Sequence, residues 1–366
     1  MSRHRPTCRV SGGPFGLLVL AVFVLAALCV PAGTPPAAQE PAAQEPAAQE
    51  TKPLSFAALG DMPYLRWGAD GKISDDEQGR VLVRRVIPAL KAAKPTFVLH
   101  YGDIKSGGGS CTDTLLEDRL AQVRALSPGR VIYTPGDNEW TDCDRHGLFK
   151  PMAELERLQT LRRLAYGQEE MAAELKPVRQ PLYPENARWA RDGILFASLH
   201  VVGTNNGRVQ IERDDKRMAL AQVDARDAAN AAWLDLLFAE AAASDARAVV
   251  IVFQADIFAR RGMRCTALSR EACDGHAWLR DELVAKSVDF GKPVLVIHGD
   301  TDSHCLDRPL DGAPRLWRLN GPGDRWEEGP ASGGLLDAAL VTAQPEASAP
   351  FAARYVVSGE DVPSHC

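Results

Sequence analysis

The chain has 366 residues, with 42 basic and 48 acidic side chains and a formal net charge of −6 at neutral pH. An acidic balance gives no general attraction to the phosphate backbone of nucleic acids, so no nucleic-acid partner is expected. Local capture of cations by carboxylates fits the balance better.

Residues 1–33 read as a secretory signal peptide. Arg3, His4, Arg5 and Arg9 form a basic start, residues 15–30 are apolar and uncharged, and Pro31-Ala32-Gly33-Thr34 offers small residues for cleavage. The apolar run is short for a bilayer span, which takes ~20 residues, and membrane contact is expected only if the signal stays uncleaved. Residues 34–52 are a linker in which Pro-Ala-Ala-Gln-Glu occurs three times, with nothing larger than Ala to bury. The remaining chain, residues 53–366, is read as one domain, periplasmic or secreted. Loss of Arg3, Arg5 and Arg9 with the signal moves the net charge from −6 to −9.

Residues 54–60 form an apolar strand running into Asp61. Residues 75–93 carry an apolar face at helical spacing. Residues 96–101 form a second strand, ending at Gly102-Asp103. A helix over 114–126 and a strand over 130–134 follow, the latter running through Pro135-Gly136 into Asp137 and Asn138. This alternation predicts parallel neighbours. Residues 147–182 read as helical. A strand over 194–202 ends at Gly203-Thr204-Asn205-Asn206, a long helix covers 216–243, and a strand over 248–253 stops at Gln254. A helix over 276–290 leads to a strand over 293–298 that ends at Gly299-Asp300. Beyond Pro314, segments such as 315–319 and 354–357 read as antiparallel strands closing an α/β domain.

Outside the signal the cysteines are Cys111, Cys143, Cys265, Cys273, Cys305 and Cys366. An even count in an exported chain points to disulfides. Cys265 with Cys273 would staple one loop, and Cys111 with Cys143 would join two strand-end loops. Cys305 then pairs with Cys366, one of fifteen arrangements that six cysteines allow.

In open α/β sheets, ligands sit at the carboxyl ends of strands. Here those ends carry Asp61, Asp103, Asp137, Gln254, Asp300 and Asp302, a set of oxygen donors for hard divalent cations. His298 and His304 would extend the choice from magnesium and manganese to iron or zinc. Two cations held by a shared carboxylate can bind a phosphate ester and generate a hydroxide.

Ala58-Leu59-Gly60-Asp61, Tyr101-Gly102-Asp103, Gly136-Asp137-Asn138-Glu139 and His298-Gly299-Asp300-Thr301-Asp302 follow the order and rough spacing of the calcineurin-like metallophosphoesterases. The chain resembles an atypical bacterial branch of that superfamily over residues 53–320. The resemblance implies a four-layer α/β/β/α sandwich, two divalent metal ions and hydrolysis of phosphate mono- or diesters. By position, Asp61 resembles the first-metal aspartate and Asp103 the bridging one. Asp137, Gln254, Asp300 and Asp302 stand where the family has further ligands. Pro63 and Asn138 replace histidines, so with Asn138 at the phosphate a leaving-group proton is expected from His100, His200, His298 or His304 instead. Lys105, Asn205 and Asn206 are candidate substrate contacts. A small phosphoester is the expected partner, and no protein partner is implied. The alternative is an inactive relative that binds a metal or ligand in the periplasm.

Overall fold

The structure is a computed structural model and describes residues 52–68, 72–167, 171–259, 262–301, 304–323 and 336–366. The signal, nearly all of the linker and Asp302 lie outside the described residues. Two large sheets face each other. The first has five strands in the order Phe351–Tyr355, Ala339–Ala343, Leu54–Leu59, Val98–His100 and Val131–Tyr133. The last three are parallel, as the strand–helix alternation predicts. The second has seven, in the order Cys305–Asp307, Leu316–Asn320, Val294–His298, Ala248–Val252, Ile194–Ser198, Tyr183–Arg191 and Val178–Gln180.

The strands read as unbroken apolar runs because both faces of each sheet are covered. Successive side chains still point to opposite faces. Phe56, Ala58, Leu99 and Ile132 meet Phe196, Val250, Leu295 and Ile297 in a core between the sheets. Phe97 stacks on Phe56 at 5.3 Å between ring centroids and meets Phe196 edge-on at 5.0 Å. Ala57, Leu59, Val98 and Val131 point the other way, onto Leu82, Val86, Leu116, Leu120 and Leu161 of the helices on that side. Leu195, Val249, Ile251 and Val294 pack on Trp233, Leu234, Leu237, Leu279 and Leu283 of Lys216–Ala243 and Ala277–Phe290. The result is the four-layer α/β/β/α arrangement.

Two expectations are corrected. Among the described residues of 147–182, the helix covers only Glu154–Tyr166. Gly167 ends that helix, and Pro177, Pro181 and Pro184 accompany the strands Val178–Gln180 and Tyr183–Arg191. Asp192-Gly193, both at positive φ (49° and 73°), turns the second of these into Ile194–Ser198. Leu316–Asn320 is not purely antiparallel, since it runs parallel to Val294–His298 and antiparallel only to Cys305–Asp307. The disulfides are Cys111–Cys143, Cys265–Cys273 and Cys305–Cys366, with Cα–Cα separations of 5.6, 5.0 and 5.1 Å.

Candidate metal centre

Each parallel strand that feeds the site stops as its chain turns sharply. Asp61, Asp103 and Asp300 take positive φ values of 49°, 55° and 70°. Asp tolerates this left-handed region better than most residues. The glycines beside them answer a second need, close approach between loops. A Cβ on Gly136 would overlap the Asp103 carboxylate, and one on Gly299 would overlap that of Asp61.

Carboxylate oxygens of Asp103, Asp137 and Asp300 lie within 4.8 Å of one another. Asp103 and Asp137 come from the first sheet and Asp300 from the second. Asp61 adjoins them, its carboxylate accepting from the Asp300 N–H at 3.2–3.3 Å. Asp61, Asp103 and Asp137 are buried. Among the described residues, no Lys, Arg or His forms an ion pair with Asp103, Asp137 or Asp300. Burial first, then the Asp137 charge, then Glu139, Asp61 and Asp300, push the Asp103 carboxyl well above its ordinary range. Burial, Asp137 and Asp61 do the same to Asp300. Buried Lys105 feels the charges of Asp142, Glu139 and Asp103, yet it forms no ion pair with the three acids among the described residues, so the group is short of positive charge.

Neutral donors fix its geometry. Gln254 Nε2 donates to Asp103 Oδ2 at 3.2 Å and to Asp137 Oδ1 at 3.1 Å. The Gly203 N–H takes Gln254 Oε1 at 2.6 Å, so the amide nitrogen, not the oxygen, faces the acids. Asn138 donates from Nδ2 to Asp103 Oδ2 at 2.8 Å and from its N–H to Oδ1 at 3.1 Å. Tyr64 O–H lies 3.4 Å from Asp103 Oδ2 and accepts from Asn138 Nδ2 at 3.2 Å. Thr204 Oγ1 lies 2.7 Å from Asp137 Oδ2 and 2.9 Å from Asp142 Oδ1. Glu139 Oε1 anchors the loop, accepting from Asp103 N–H, Gly136 N–H and Tyr133 O–H at 3.1, 3.0 and 2.7 Å.

The structure therefore brings Asp61, Asp103, Asp137, Asn138, Gln254 and Asp300 together. The other described candidates make different contacts. His298 is fully buried between Phe253 and Phe258, with Nδ1 on the Gly299 carbonyl at 2.9 Å. His304 Nδ1 meets the Gly321 carbonyl at 2.7 Å. Lys105 is buried and donates to the carbonyls of Asn138 and Ser106, bracing the loop. Asn205 holds the Cys265–Cys273 loop through the Cys273 carbonyl at 3.0 Å and the Gly275 N–H at 2.9 Å. Asn206 turns to Asp227 and Arg226. Gly203 and Thr204 stand at the acids instead. Thr204, Asn205 and Asn206 are three successive left-handed residues (φ 50°, 55° and 61°), and a β-branched Thr there is strained. The two asparagines that follow, both at home in that conformation, are the sequence signal for this turn.

The donor set fits a hard divalent cation. It is all oxygen, and among the described residues no cation is paired with it. Gly203 also leaves room beside it, since a Cβ there would sit 2.5 Å from Asp137 Oδ2 and 2.9 Å from Asp300 Oδ1.

No protein-family model matches the chain, and no curated protein does. Among solved structures the chain is similar to one titled "Structure of PhoD", with a TM-score of 0.47 and 11% identity, covering 85% of this chain and 68% of that one. A likeness of that degree locates neither a ligand nor a reaction in this chain.

Proposed function

We propose that the protein is an exported hydrolase of phosphate mono- or diesters that works with a divalent cation bound by Asp103, Asp137 and Asp300. The supporting observation is the convergence of these three carboxylates with no cationic side chain paired to them among the described residues. A bound cation would supply Lewis-acid charge for the phosphoryl oxygens and lower the pKa of water. The chain's own residues hold and orient. Asp103, Asp137 and Asp300 bind through oxygen. Asn138 and Gln254 fix the Asp103 carboxylate, and Thr204 fixes Asp137. A second cation, as the resemblance implies, would require Asp61 to join and Gln254 Nε2 to leave Asp103 and Asp137. The three disulfides support an oxidising compartment.

A second reading, a cation-binding protein without turnover, is favoured by the amides. Asn138 offers no titratable proton for a leaving group, and the Nδ1 atoms of His298 and His304 are engaged with main-chain carbonyls. The test strips the oxidised, purified chain with chelator and restores manganese, iron, zinc, magnesium or calcium singly. Turnover of p-nitrophenyl phosphate or bis-p-nitrophenyl phosphate that is metal-dependent and lost in Asp103→Asn supports the hydrolase. Tight binding without turnover, lost in the same variant, supports the second reading. Neither binding nor turnover overturns both.

A further inference from the structure

The loop that places Asp137 continues to Arg145. The N–H groups of Trp140 and Asp142 both donate to the Asp137 carbonyl at 3.1 Å. The chain there winds into the short 3-10 helix Thr141–Asp144, in which Cys143 is bridged to Cys111. Arg145 follows directly. Its Nη2 lies 2.8 Å from Asp142 Oδ1, and its Nε donates to Gln210 Oε1 at 2.8 Å. Thr204 Oγ1 lies 3.5 Å from Nη2 and 2.7 Å from Asp137 Oδ2, so one hydroxyl separates the guanidinium from a candidate metal ligand.

The third nitrogen is available. Nη1 has no hydrogen-bond partner among the described residues. The Arg145 side chain is 35% exposed, and Nη1 is not one of the buried nitrogens that lack a partner. It also stands beside a gap. A Cβ on Gly107 would come within 2.6 Å of both Nη1 and Asn138 Oδ1, and the nitrogen of that same amide holds Asp103. Asp142 already faces the positive charge, so the feature is not bare charge. It is a donor oriented through Nε and Nη2, on an accessible edge of the acid centre. Lys105, the basic residue that the sequence offers for substrate, is closed off inside the same loop.

We propose that Arg145 is the phosphoryl contact of this centre and makes it select phosphate monoesters over diesters, an inference that rests on the hydrolase reading. At neutral pH a monoester carries close to two negative charges and three terminal oxygens. A diester carries one charge and two terminal oxygens. The additional oxygen is what a guanidinium beside a metal centre can hold through charge-assisted bonds.

The experiment uses the full, oxidised chain loaded with manganese, and Arg145→Gln, which keeps a donor for Asp142 and loses the charged fork. Calorimetry with inorganic phosphate reads binding. Turnover of p-nitrophenyl phosphate against bis-p-nitrophenyl phosphate reads selection. Phosphate is expected to bind the variant at least about tenfold more weakly. The ratio of kcat/KM for the monoester to that for the diester is expected to fall at least about tenfold. Arg145→Lys, a point charge without the fork, should lie between the two. Manganese affinity should stay within about threefold of wild type in both variants, because neither removes a ligand. A fall in manganese affinity that matches the loss of phosphate would make Arg145 a brace of the loop and overturn the proposal. Turnover with an unchanged ratio and unchanged phosphate affinity in Arg145→Gln would overturn it and leave the hydrolase standing, as would a wild type that prefers the diester. Phosphate binding lost in the variant, with no turnover in the wild type, would keep the contact and remove the hydrolase. Neither turnover nor phosphate binding in the wild type would overturn both.

Discussion

An alanine at position 203 would carry its methyl carbon into the gap beside Asp137 and Asp300. Gly203 does not have a left-handed backbone, so this is a pure test of space. Gly203→Ala is expected to weaken manganese binding by about ten- to a hundredfold with the circular dichroism spectrum unchanged. Calorimetric titration reads it, and wild-type affinity would place the cation elsewhere. Thr204→Val keeps the branched shape and removes the hydroxyl that meets Asp137 and Asp142. It is expected to lower affinity by about tenfold, again by titration.

At the scale of elements, the first helical residue of Glu154–Tyr166 carries a testable pH dependence. The Glu154 carboxyl is raised to about 10, chiefly by burial and next by Asp144. The positive N-terminus of the helix opposes this by only about 0.3–1 kcal/mol. The unfolded chain releases this proton near its ordinary value of 4.5, and the folded chain retains it. Folding is then penalised increasingly as pH rises above that value. Glu154→Gln keeps a donor for Asp144 and removes the titration. It is expected to stabilise the protein at pH 8 by an amount on the order of a few kcal/mol, and hardly at pH 4.5. Urea unfolding at the two pH values checks this, and an equal effect at both would refute it. The same elements show what the sequence discloses. A buried parallel strand is a short apolar run closed by Gly-Asp, so the ends at Asp61, Asp103, Asp137 and Asp300 could be read directly. Tyr183–Arg191 could not, because its Arg, Glu and Asn residues suit a helix equally, although Asp192-Gly193 is a hairpin signal. His298 lies on a strand of the right kind, but strand parity sends its ring into the helical layer. Thr204 was hidden because its placement depends on a left-handed turn, which no periodicity records.

For the whole molecule, the Cys111–Cys143 disulfide joins the segments that follow Asp103 and Asp137, at a sequence separation of 32. Closing such a loop contributes about 3–4 kcal/mol in the chain-entropy account. Replacing both cysteines by serine should lower the denaturation midpoint accordingly and weaken metal binding, because the bridge ties the two acid loops. Cys265→Ser with Cys273→Ser, a separation of 8 residues, should cost less stability. Urea titration and calorimetry on both variants test the ordering, and a reversed order would refute it.

The carboxylate cluster draws Asp103 and Asp137 from one sheet and Asp300 from the other. A cation there would be a rivet through a seam. Bound at a hundred times its dissociation constant, it would add about 2.7 kcal/mol to the folded state. The two halves could then part only after the ion had left. Copies lacking the ion would open more often and meet proteases sooner. The supply of the ion would then set how long each copy survives.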